Sequence, residues 1–341
     1  MSLPRPAPGL TLRDEGPLID PFGRVHTYLR VSVTDRCNYR CTYCMPEEGL
    51  AWMPRAEVLS FEEIARIVGV FASLGVRRVR LTGGEPLVRK DLLRLVAALA
   101  VIPGLDDLAM TTNGHLLPPL AAPLREAGLR RVNVSCDAID PDVFRRLTRN
   151  GDVAAVLAGV EAARRVGLVP VKVNAVVVAG ENEDEAVRLV EHFSRWPEEI
   201  VVRFIEQMPF DGIRRGAVAA RSTRARLAER FTLVPVGGGD GGPAVDWRVV
   251  ETGQVVGFIS PITEHFCHRC NRLRLEADGH LRTCLSRDDT PSLRDLLRDG
   301  ASDLDLARAV RRMVWGKVAG HEAHLADGWR AFEGVMTRIG G

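Results

Sequence analysis

Residues 28–44, YLRVSVTDRCNYRCTYC, form an apolar-alternating run that ends in three cysteines, Cys37, Cys41 and Cys44. The alternation predicts a β-strand, and the spacing C-x3-C-x2-C places the thiols close enough to hold one inorganic cluster. They are one ligand short of the four thiolates that a cubane iron-sulfur cluster usually takes. Because an iron left open in this way binds a small molecule, the segment predicts both a cofactor and a reaction site.

The composition is that of an ordinary globular protein. The 341 residues are 46% apolar and 26% charged, with a formal net charge of +2, so the chain can bury a large core without disulfides. A nearly balanced charge gives no whole-protein field toward nucleic acid or a lipid surface. Since the N-terminus is rich in proline and has no apolar signal segment, we expect a cytoplasmic protein with neither nucleic-acid nor membrane partners.

Strand-like and helix-like segments alternate between residues 25 and 209. The strands are predicted at 27–34, 77–82, 106–111, 131–136, 169–178 and 199–206. The helices between them are predicted at 60–74, 91–100, 116–127, 141–166 with an interruption at Gly151, and 182–196. Repeated βα units give a parallel sheet, and six of them predict an α/β fold with a partial, TIM-like (βα)6 barrel. A doubly wound open sheet fits the same pattern.

The pattern changes on either side of this region. Residues 1–24 contain five prolines and predict an extended, partly mobile leader. After Met208 the segments are irregular, with a short helix at 223–229 and helices from Ser292 onward. Short strands are expected at 231–236, 245–250 and 255–259. We interpret residues 210–341 as a C-terminal extension that closes the barrel.

Polar residues follow the predicted strands, and the carboxyl ends of the strands form the active-site mouth of an α/β barrel. The second strand ends in TGGEP at residues 82–86. Adjacent glycines let the backbone approach a ligand closely, and the Glu85 carboxylate is suited to accept from an ammonium group. A tight turn explains the same residues. We therefore expect all six strands to deliver polar residues to one mouth.

A second group of three cysteines, Cys267, Cys270 and Cys284, also lacks an evident fourth thiol. For both groups a zinc site is the alternative to an iron-sulfur cluster. The candidates for a fourth zinc ligand beside the second group are His265, His268 and His280. The remaining cysteine, Cys136, has no partner in the sequence pattern and is interpreted as a small buried hydrophobic residue.

Two arginines, Arg272 and Arg274, come directly after Cys270. Alternate residues of an extended segment face one side, and guanidinium groups suit phosphate geometry. Such a pair is also common on a solvated surface. Beside a metal site, it predicts a polyphosphate cradle.

The first stretch resembles the signature of the radical S-adenosylmethionine enzymes, C-x3-C-x-aromatic-C, with Tyr43 in the aromatic place and Gly-Gly-Glu at residues 83–85. The resemblance implies that the first three cysteines hold a [4Fe-4S] cluster whose free iron chelates S-adenosylmethionine. It further implies that an electron from the cluster cleaves the sulfonium and leaves a 5′-deoxyadenosyl radical.

Nearly the whole chain, from about Gly23, closely resembles the GTP 3′,8-cyclase family of molybdenum cofactor biosynthesis. The matching segments are TDRC at 34–37, GFISP at 257–261, the second cysteine group with its two arginines, and the terminal Gly340-Gly341. The resemblance implies a second [4Fe-4S] cluster that binds the guanine of GTP. The radical would remove the ribose 3′ hydrogen, the 3′ carbon would attack C8, and reduction would give 3′,8-cyclo-7,8-dihydro-GTP.

The same resemblance implies partners. They are an electron donor and a downstream cyclic pyranopterin monophosphate synthase, and a homodimer is the assembly considered. The physiological reductant and the oligomeric state are not encoded in the motifs.

The resemblance also assigns residues by position. The catalytic set is Cys37, Cys41, Cys44, Arg272, Arg274, Gly340 and Gly341. The contacts to S-adenosylmethionine are Tyr43, Gly84, Ser135 and Met208. The contacts to GTP are Arg30, Arg80, Thr111, Lys172, Arg272, Leu273 and Arg274, with Arg203 and Asn174 as further candidates. For Thr111 and Ser135, a hydroxyl that satisfies strand-end backbone is the alternative. Gly334 stands where many members of the family have an arginine, which bears on how the Gly-Gly tail docks.

Two other functions are considered. Another radical S-adenosylmethionine enzyme with an auxiliary cluster, such as a peptide modifier, explains both cysteine groups but not the arginine pair together with the Gly-Gly end. A zinc-stabilised nucleic-acid-binding module needs a broad basic face or aromatic residues near the cysteines, and the sequence has neither.

Overall fold

The computed structural model describes residues 5–208, 210, 216–237, 242–287, 291–321 and 336–340. Eleven strands of this part form one sheet: β1 Tyr28–Ser32, β2 Arg78–Thr82, β3 Asp107–Thr112, β4 Arg131–Ser135, β5 Val171–Val177, β6 Ile200–Glu206, β7 Leu233–Pro235, β8 Val245–Val249, β9 Val255–Ile259, β10 Arg272–Leu275 and β11 Leu281–Arg282. The described helices are α1 Phe61–Ser73, α2 Leu92–Ala100, α3 Leu117–Glu126, α4 Pro141–Thr148, α5 Val153–Arg165, α6 Glu185–Phe193, α7 Ala220–Ala228, α8 Leu293–Arg298, α9 Asp303–Trp315 and α10 Met336–Ile339.

The six predicted strands β1 to β6 and the helices between them are present, so the α/β class and a mostly parallel sheet are confirmed. Five of the described helices, α1, α4, α5, α8 and α9, begin at a residue whose side chain accepts a backbone hydrogen bond. Ser60 and Glu63 form a reciprocal capping box at the start of α1, which satisfies two backbone donors at once. The apolar faces of the helices and the strands share one buried core.

The helical segment predicted at 141–166 is two helices, α4 and α5, and the predicted interruption at Gly151 is confirmed. It is broken at Arg149, which has a φ of 62°, and Asp152 then accepts from Ala154 N to begin α5. The chain can turn here because Gly151 follows: an added Cβ at that position would lie 2.4 Å from Thr148 Oγ1.

The C-terminal segment adds strands to both edges of the sheet. The strand order is β11-β10-β1-β2-β3-β4-β5-β6-β9-β8-β7. Strand β10 runs parallel to β1, with Tyr28 opposite Arg272 and Arg30 opposite Arg274, and β9 runs parallel to β6. Eight consecutive strands are therefore parallel. Strands β10 and β11 were not among the predicted strands, because four and two residues are too short to show a periodic pattern.

The second half of the predicted leader packs against the rest of the protein. Leu18 and Asp20 are buried, and Arg24 and His26 both bond to the Asp20 carboxylate. Leu18 N donates a hydrogen bond to Leu74 O, just after α1, and His26 N donates one to Leu18 O. Within the part of the chain described above, no helix is both long enough and apolar enough to cross a membrane.

Candidate active site

One cavity of about 390 Å³ runs along the inner face of the sheet. Its walls include side chains from β1 to β6 and from β10, and all six cysteines of the two predicted groups line it. The alternation of β10 explains one wall: Arg272 and Arg274 face the cavity, whereas Leu273 and Leu275 are completely buried in the core on the other face.

The two cysteine groups lie at opposite ends of the parallel strands. Cys37, Cys41 and Cys44 follow the carboxyl end of β1. Cys270 comes two residues before β10, which is parallel to β1, so the second group lies at the amino ends. The expectation of one mouth concerned the strands β1 to β6, and each of them contributes polar side chains to this cavity. The second group lies outside that expectation, because Cys267 and Cys270 precede a strand.

The first thiol group is buried beside its own backbone. Cys37 Sγ accepts from Tyr39 N at 3.4 Å. Burial raises the pKa of Cys37 to about 11 and that of Cys44 to about 12, and for Cys44 the neighbouring Cys37 adds to the effect. Free thiols would therefore stay protonated, whereas metal binding selects the thiolate. Three adjacent thiols with this preference fit the donor set of a [4Fe-4S] cluster with one open iron.

Tyr43, the aromatic residue of the signature, donates from its hydroxyl to Asp137 Oδ2 at 2.5 Å. The other oxygen of Asp137 accepts from Val176 N at 2.8 Å. Burial raises the pKa of Asp137 to about 6. Asp137 was not among the predicted contacts. It comes two residues after Ser135, the last residue of β4, and both residues line the cavity.

Glu85 is not available to a ligand. Its Oε1 accepts from Thr112 Oγ1 at 2.7 Å and from Leu87 N at 3.0 Å, and its Oε2 accepts from Asn113 N at 2.6 Å. The residue is completely buried, and burial raises its pKa to about 7. The interpretation of Glu85 as an acceptor for an ammonium group is therefore corrected: its carboxyl group ties the end of β2 to the end of β3.

The two glycines before Glu85 are required by the cysteine loop. An added Cβ would lie 2.4 Å from Thr34 O at Gly83 and 2.4 Å from Arg36 O at Gly84, and Gly83 has a φ of +142°. Only glycine lets these backbones come so close. The approach thus brings Gly84 against the loop that leads into Cys37, and Gly84 still lines the cavity.

Several of the predicted cations lie around Tyr28, a residue that was not among the predicted contacts. Arg80 Nε donates to the Tyr28 hydroxyl. Burial alone raises the pKa of Tyr28, but the guanidinium groups of Arg80 and Arg30 outweigh it and lower that pKa to about 8. Burial, together with Arg80 and Arg272, lowers the pKa of Arg30 to about 10. Burial and its neighbours Arg30 and Arg272 also lower the pKa of Arg274.

Several buried polar atoms facing this cavity have no hydrogen-bond partner among the described residues. They are Arg30 Nε, Arg80 Nη1, Thr111 Oγ1 and Asn174 Oδ1. Buried polar groups are normally paired, and crowded guanidinium groups repel one another unless an anion lies between them. The cavity is therefore suited to a polyanion with further polar groups.

The second thiol group has polar neighbours that the sequence did not reveal. Lys317 Nζ lies 3.9 Å from Cys270 Sγ, and His321 Nδ1 lies 3.4 Å from Cys267 Sγ. Burial would raise the pKa of Cys270, but the charges of Lys317 and Arg272 lower it to about 6. His321 is buried and lines the cavity. Within the described ranges, no group of three His, Cys, Asp or Glu side chains forms a site for a single metal ion.

The C-terminal tail reaches this cavity. Arg274 Nη1 donates to Gly340 O at 2.5 Å, and an added Cβ on Gly340 would lie 2.5 Å from Thr82 Cγ2. Met336 and Thr337 line the cavity. Gly334 and Gly341 lie outside the described residues.

The other predicted contacts differ in whether they line the cavity. The side chains or backbone of Ser135, Met208, Thr111, Lys172, Asn174 and Arg203 all line the cavity. Leu273 does not: its side chain is in the core. Any part that Leu273 takes in binding is therefore restricted to its backbone.

Relatives of known name match almost the whole chain. The match with a GTP 3′,8-cyclase of Rhodopseudomonas palustris (strain TIE-1) is 46% identical over 315 residues, which are 90% of each chain. A GTP 3′,8-cyclase of Heliobacterium modesticaldum is 47% identical over 330 residues, which are 95% of this chain and 100% of the relative. The chain belongs to the GTP 3′,8-cyclase family. The predicted family membership is confirmed, and the protein is an enzyme of that family.

Two protein-family models match consecutive parts of the chain. The Radical SAM superfamily model matches residues 31–193, and the model for Molybdenum Cofactor Synthesis C matches residues 200–323. Membership of a radical S-adenosylmethionine family implies S-adenosylmethionine and a [4Fe-4S] cluster, as predicted.

Solved structures support the fold alone. The crystal structure of Streptococcus suis SuiB bound to S-adenosylmethionine has a TM-score of 0.57 and 14% identity, and the match covers 84% of this chain and 68% of that chain. The structure of SuiB bound to its precursor peptide SuiA gives a TM-score of 0.58 at 15% identity, covering 84% and 66%. The fold is that of the radical S-adenosylmethionine enzymes.

Proposed function

We propose that this GTP 3′,8-cyclase family member converts GTP to 3′,8-cyclo-7,8-dihydro-GTP, the first step of molybdenum cofactor biosynthesis, with a cluster at each cysteine group. The observation that carries this proposal is the arrangement of the cavity: two thiol groups lie at opposite ends of one set of parallel strands, and buried cations lie between them. A radical source and an anchored substrate can therefore occupy one enclosed space.

The first group, Cys37, Cys41 and Cys44, would hold the [4Fe-4S] cluster that binds S-adenosylmethionine. When bound, this pair supplies a carbon-centred radical that removes a hydrogen atom from the substrate. Tyr43, Gly84, Ser135 and Met208 would position S-adenosylmethionine. Asp137 would fix the ring of Tyr43 through the 2.5 Å hydrogen bond.

The second group, Cys267, Cys270 and Cys284, would hold a second [4Fe-4S] cluster with an open iron for the guanine. The residues that would hold the triphosphate and ribose are Arg30, Arg80, Thr111, Lys172, Arg272 and Arg274, with the backbone of Leu273. Without an anion, the arginine and lysine side chains of this set repel one another. The negative charges of a triphosphate would relieve that repulsion, and this supports the assignment. Arg203 and Asn174 are further candidates.

The tail would complete the reaction chamber. The contact of Arg274 with Gly340 places Gly340 between a substrate-binding arginine and the end of β2. Gly340 and Gly341 would therefore exclude water and fix Arg274 during the reaction. Arg272 and Arg274 are proposed as catalytic because they would touch the reacting nucleotide.

The architecture proposed is a partial (βα)6 barrel over residues 25–209, preceded by residues 1–24 and completed by residues 210–341. Support comes from a single cavity that every strand from β1 to β6 helps to line. A flat sheet would not enclose one space in this way. Strands β9 and β10 would extend the barrel at its two edges.

The partners proposed are a one-electron donor and the cyclic pyranopterin monophosphate synthase that consumes the product. A cytoplasmic location follows from the need for reduced thiols and oxygen-labile clusters. A homodimer stays a prediction that the molecular mass in solution would test.

Two measurements test the function. Anaerobic reconstitution with iron and sulfide should give about eight irons per chain, the content of two cubane clusters; zinc bound without visible absorbance would contradict an iron-sulfur enzyme. The reduced enzyme should then be incubated with S-adenosylmethionine and GTP deuterated at the 3′ position. Deuterium should appear in 5′-deoxyadenosine, and its absence would refute the proposed hydrogen transfer.

A further inference from the structure

Lys317 is a buried ammonium group that joins the two segments carrying Cys270 and Cys284. Its Nζ donates to Arg272 O at 2.9 Å and to Thr283 O at 2.5 Å, and it lies 3.9 Å from Cys270 Sγ. The residue is only 4% exposed. Burying an ammonium group costs free energy unless its donors are satisfied. Here two donors meet backbone carbonyls, and the third has a sulfur within reach.

The choice of lysine is unusual for this chain. Of its 46 basic residues, only Lys90, Lys172 and Lys317 are lysines. Lys90 is exposed, whereas Lys172 and Lys317 are buried, and Lys172 lines the cavity. Lysine carries a compact point charge, and arginine carries a wide planar one. A protein that uses arginine nearly everywhere else thus has a compact cation between two carbonyls and a thiol.

The segment that follows Lys317 is clamped against the cysteine loop. Arg24 donates to Cys267 O at 2.8 Å, to Ala319 O at 2.7 Å and to Val318 O at 2.8 Å. Arg24 is itself held by Asp20 through a 2.5 Å bond. The ammonium group therefore has a fixed position relative to the second thiol group.

All three sulfurs of the group have a polar neighbour. Besides Lys317 at Cys270, His321 Nδ1 lies 3.4 Å from Cys267 Sγ, and Ser286 Oγ lies 3.3 Å from Cys284 Sγ. Hydrogen bonds to ligand sulfurs are one of the means by which a protein sets the reduction potential of an iron-sulfur cluster. Among these three neighbours, Lys317 is the one with a permanent charge.

We propose that Lys317 is a positioning residue for the cluster at Cys267, Cys270 and Cys284, and that its charge raises the reduction potential of that cluster. The inference rests on the proposed function, because it requires the second cluster. One-electron reduction adds one negative charge to the cluster, and a fixed cation 3.9 Å from a ligand sulfur favours the more negative state. The same group holds the start of β10, which follows Cys270, next to Thr283, which precedes Cys284.

The test compares Lys317→Met, which keeps the length of the stem, with Lys317→Arg, which keeps the charge. Lys90→Met is the control, because it removes an exposed lysine. All proteins are full length and carry alanine at Cys37, Cys41 and Cys44, so that only the second cluster is present. Each is reconstituted anaerobically, assayed for iron and titrated electrochemically with the paramagnetic resonance signal as readout.

At a fixed potential, the reduced-to-oxidised ratio should fall about tenfold in Lys317→Met, a shift of about 59 mV for one electron. Lys317→Arg should lie between this value and the parent, and Lys90→Met should equal the parent. Loss of iron in Lys317→Met that Lys317→Arg restores also supports the proposal. An unchanged potential in Lys317→Met, or equal effects of both Lys317 variants, overturns it. If the parent itself binds no iron, the second cluster of the proposed function is refuted, whatever Lys317 does.

Discussion

Arg274 Nη1 and the carbonyl oxygen of Gly340 are 2.5 Å apart, so a residue of β10 holds the last described residue of the chain. The same glycine touches the end of β2, where its missing side chain makes room for Thr82. The tail is therefore seated between the two cysteine groups. Its fit depends on the absence of a single methyl group.

Gly340→Ala should unseat the tail. The added Cβ would lie 2.5 Å from Thr82 Cγ2 and 2.9 Å from Thr82 Oγ1, and the φ of +79° is unfavourable for alanine. Strain of about 1–3 kcal/mol corresponds to a loss of about 5-fold to 150-fold in turnover. Product formation measures the effect, with iron content as a check on assembly. Gly300→Ala is the matched control, since its φ is +88° but nothing lies within 4 Å; equal losses in both variants would contradict the steric argument.

Arg272→Ala should weaken GTP binding and leave the first cluster intact. The guanidinium group faces the cavity and lies over the ring of Phe266 at 4.7 Å. Loss of a charge-assisted bond to phosphate of about 1.5–3 kcal/mol raises the dissociation constant about 10-fold to 100-fold. Equilibrium dialysis under nitrogen measures it. The exposed Arg125→Ala variant should bind GTP normally, and normal binding by Arg272→Ala would argue against the phosphate cradle.

Leu273→Ala should destabilise the protein without a specific effect on GTP. The side chain is completely buried on the core side of β10. Truncating a buried leucine costs about 2–5 kcal/mol, whereas Leu273→Met keeps the volume and costs less than about 1.5 kcal/mol. Thermal unfolding and GTP affinity of the folded protein are the two readouts. A large loss of affinity in Leu273→Met with normal stability would show that the side chain itself meets the substrate.

Glu85 should make the wild-type protein less stable as the pH rises from about 4.5 to 7. Burial raises its pKa from 4.5 to about 7, so the neutral carboxyl is the favoured folded form. Its contribution is complete below the unfolded pKa and is lost as the pH rises through the folded one. Glu85→Gln imitates the neutral group, so the melting temperature of the wild type relative to this variant should fall with pH.

The size of this change is on the order of 2–3 kcal/mol at most. Glu62→Gln removes an exposed carboxylate and is the control. A constant difference between wild type and Glu85→Gln across this pH range would mean that Glu85 stays ionised and that its three hydrogen bonds outweigh burial.

Local patterns predicted much of this molecule. The strands β1 to β6 and their helices follow from periodicity and caps, because a strand buried in a parallel sheet and an amphipathic helix each repeat within a few residues. The cysteine spacing and the arginine pair were equally local, and all six thiols and both arginines line one cavity.

What the sequence concealed depends on pairing between distant segments. The position of the second cysteine group at the opposite end of the strands follows from the parallel pairing of β10 with β1, and four residues of β10 carry no sign of their neighbour. Glu85 was misinterpreted because its partners are Thr112, the last residue of the next strand, and Asn113, which follows it. Arg24 and Lys317 are single residues whose contacts lie far away in the chain.

The pairing of β10 with β1 also has a consequence for how the protein is made. On the ribosome β1 emerges early and β10 near the end, so one edge of β1 lacks its partner through most of synthesis. Unpaired strand edges promote association between nascent chains, and contacts between distant segments form slowly. The second thiol group is therefore assembled after the first.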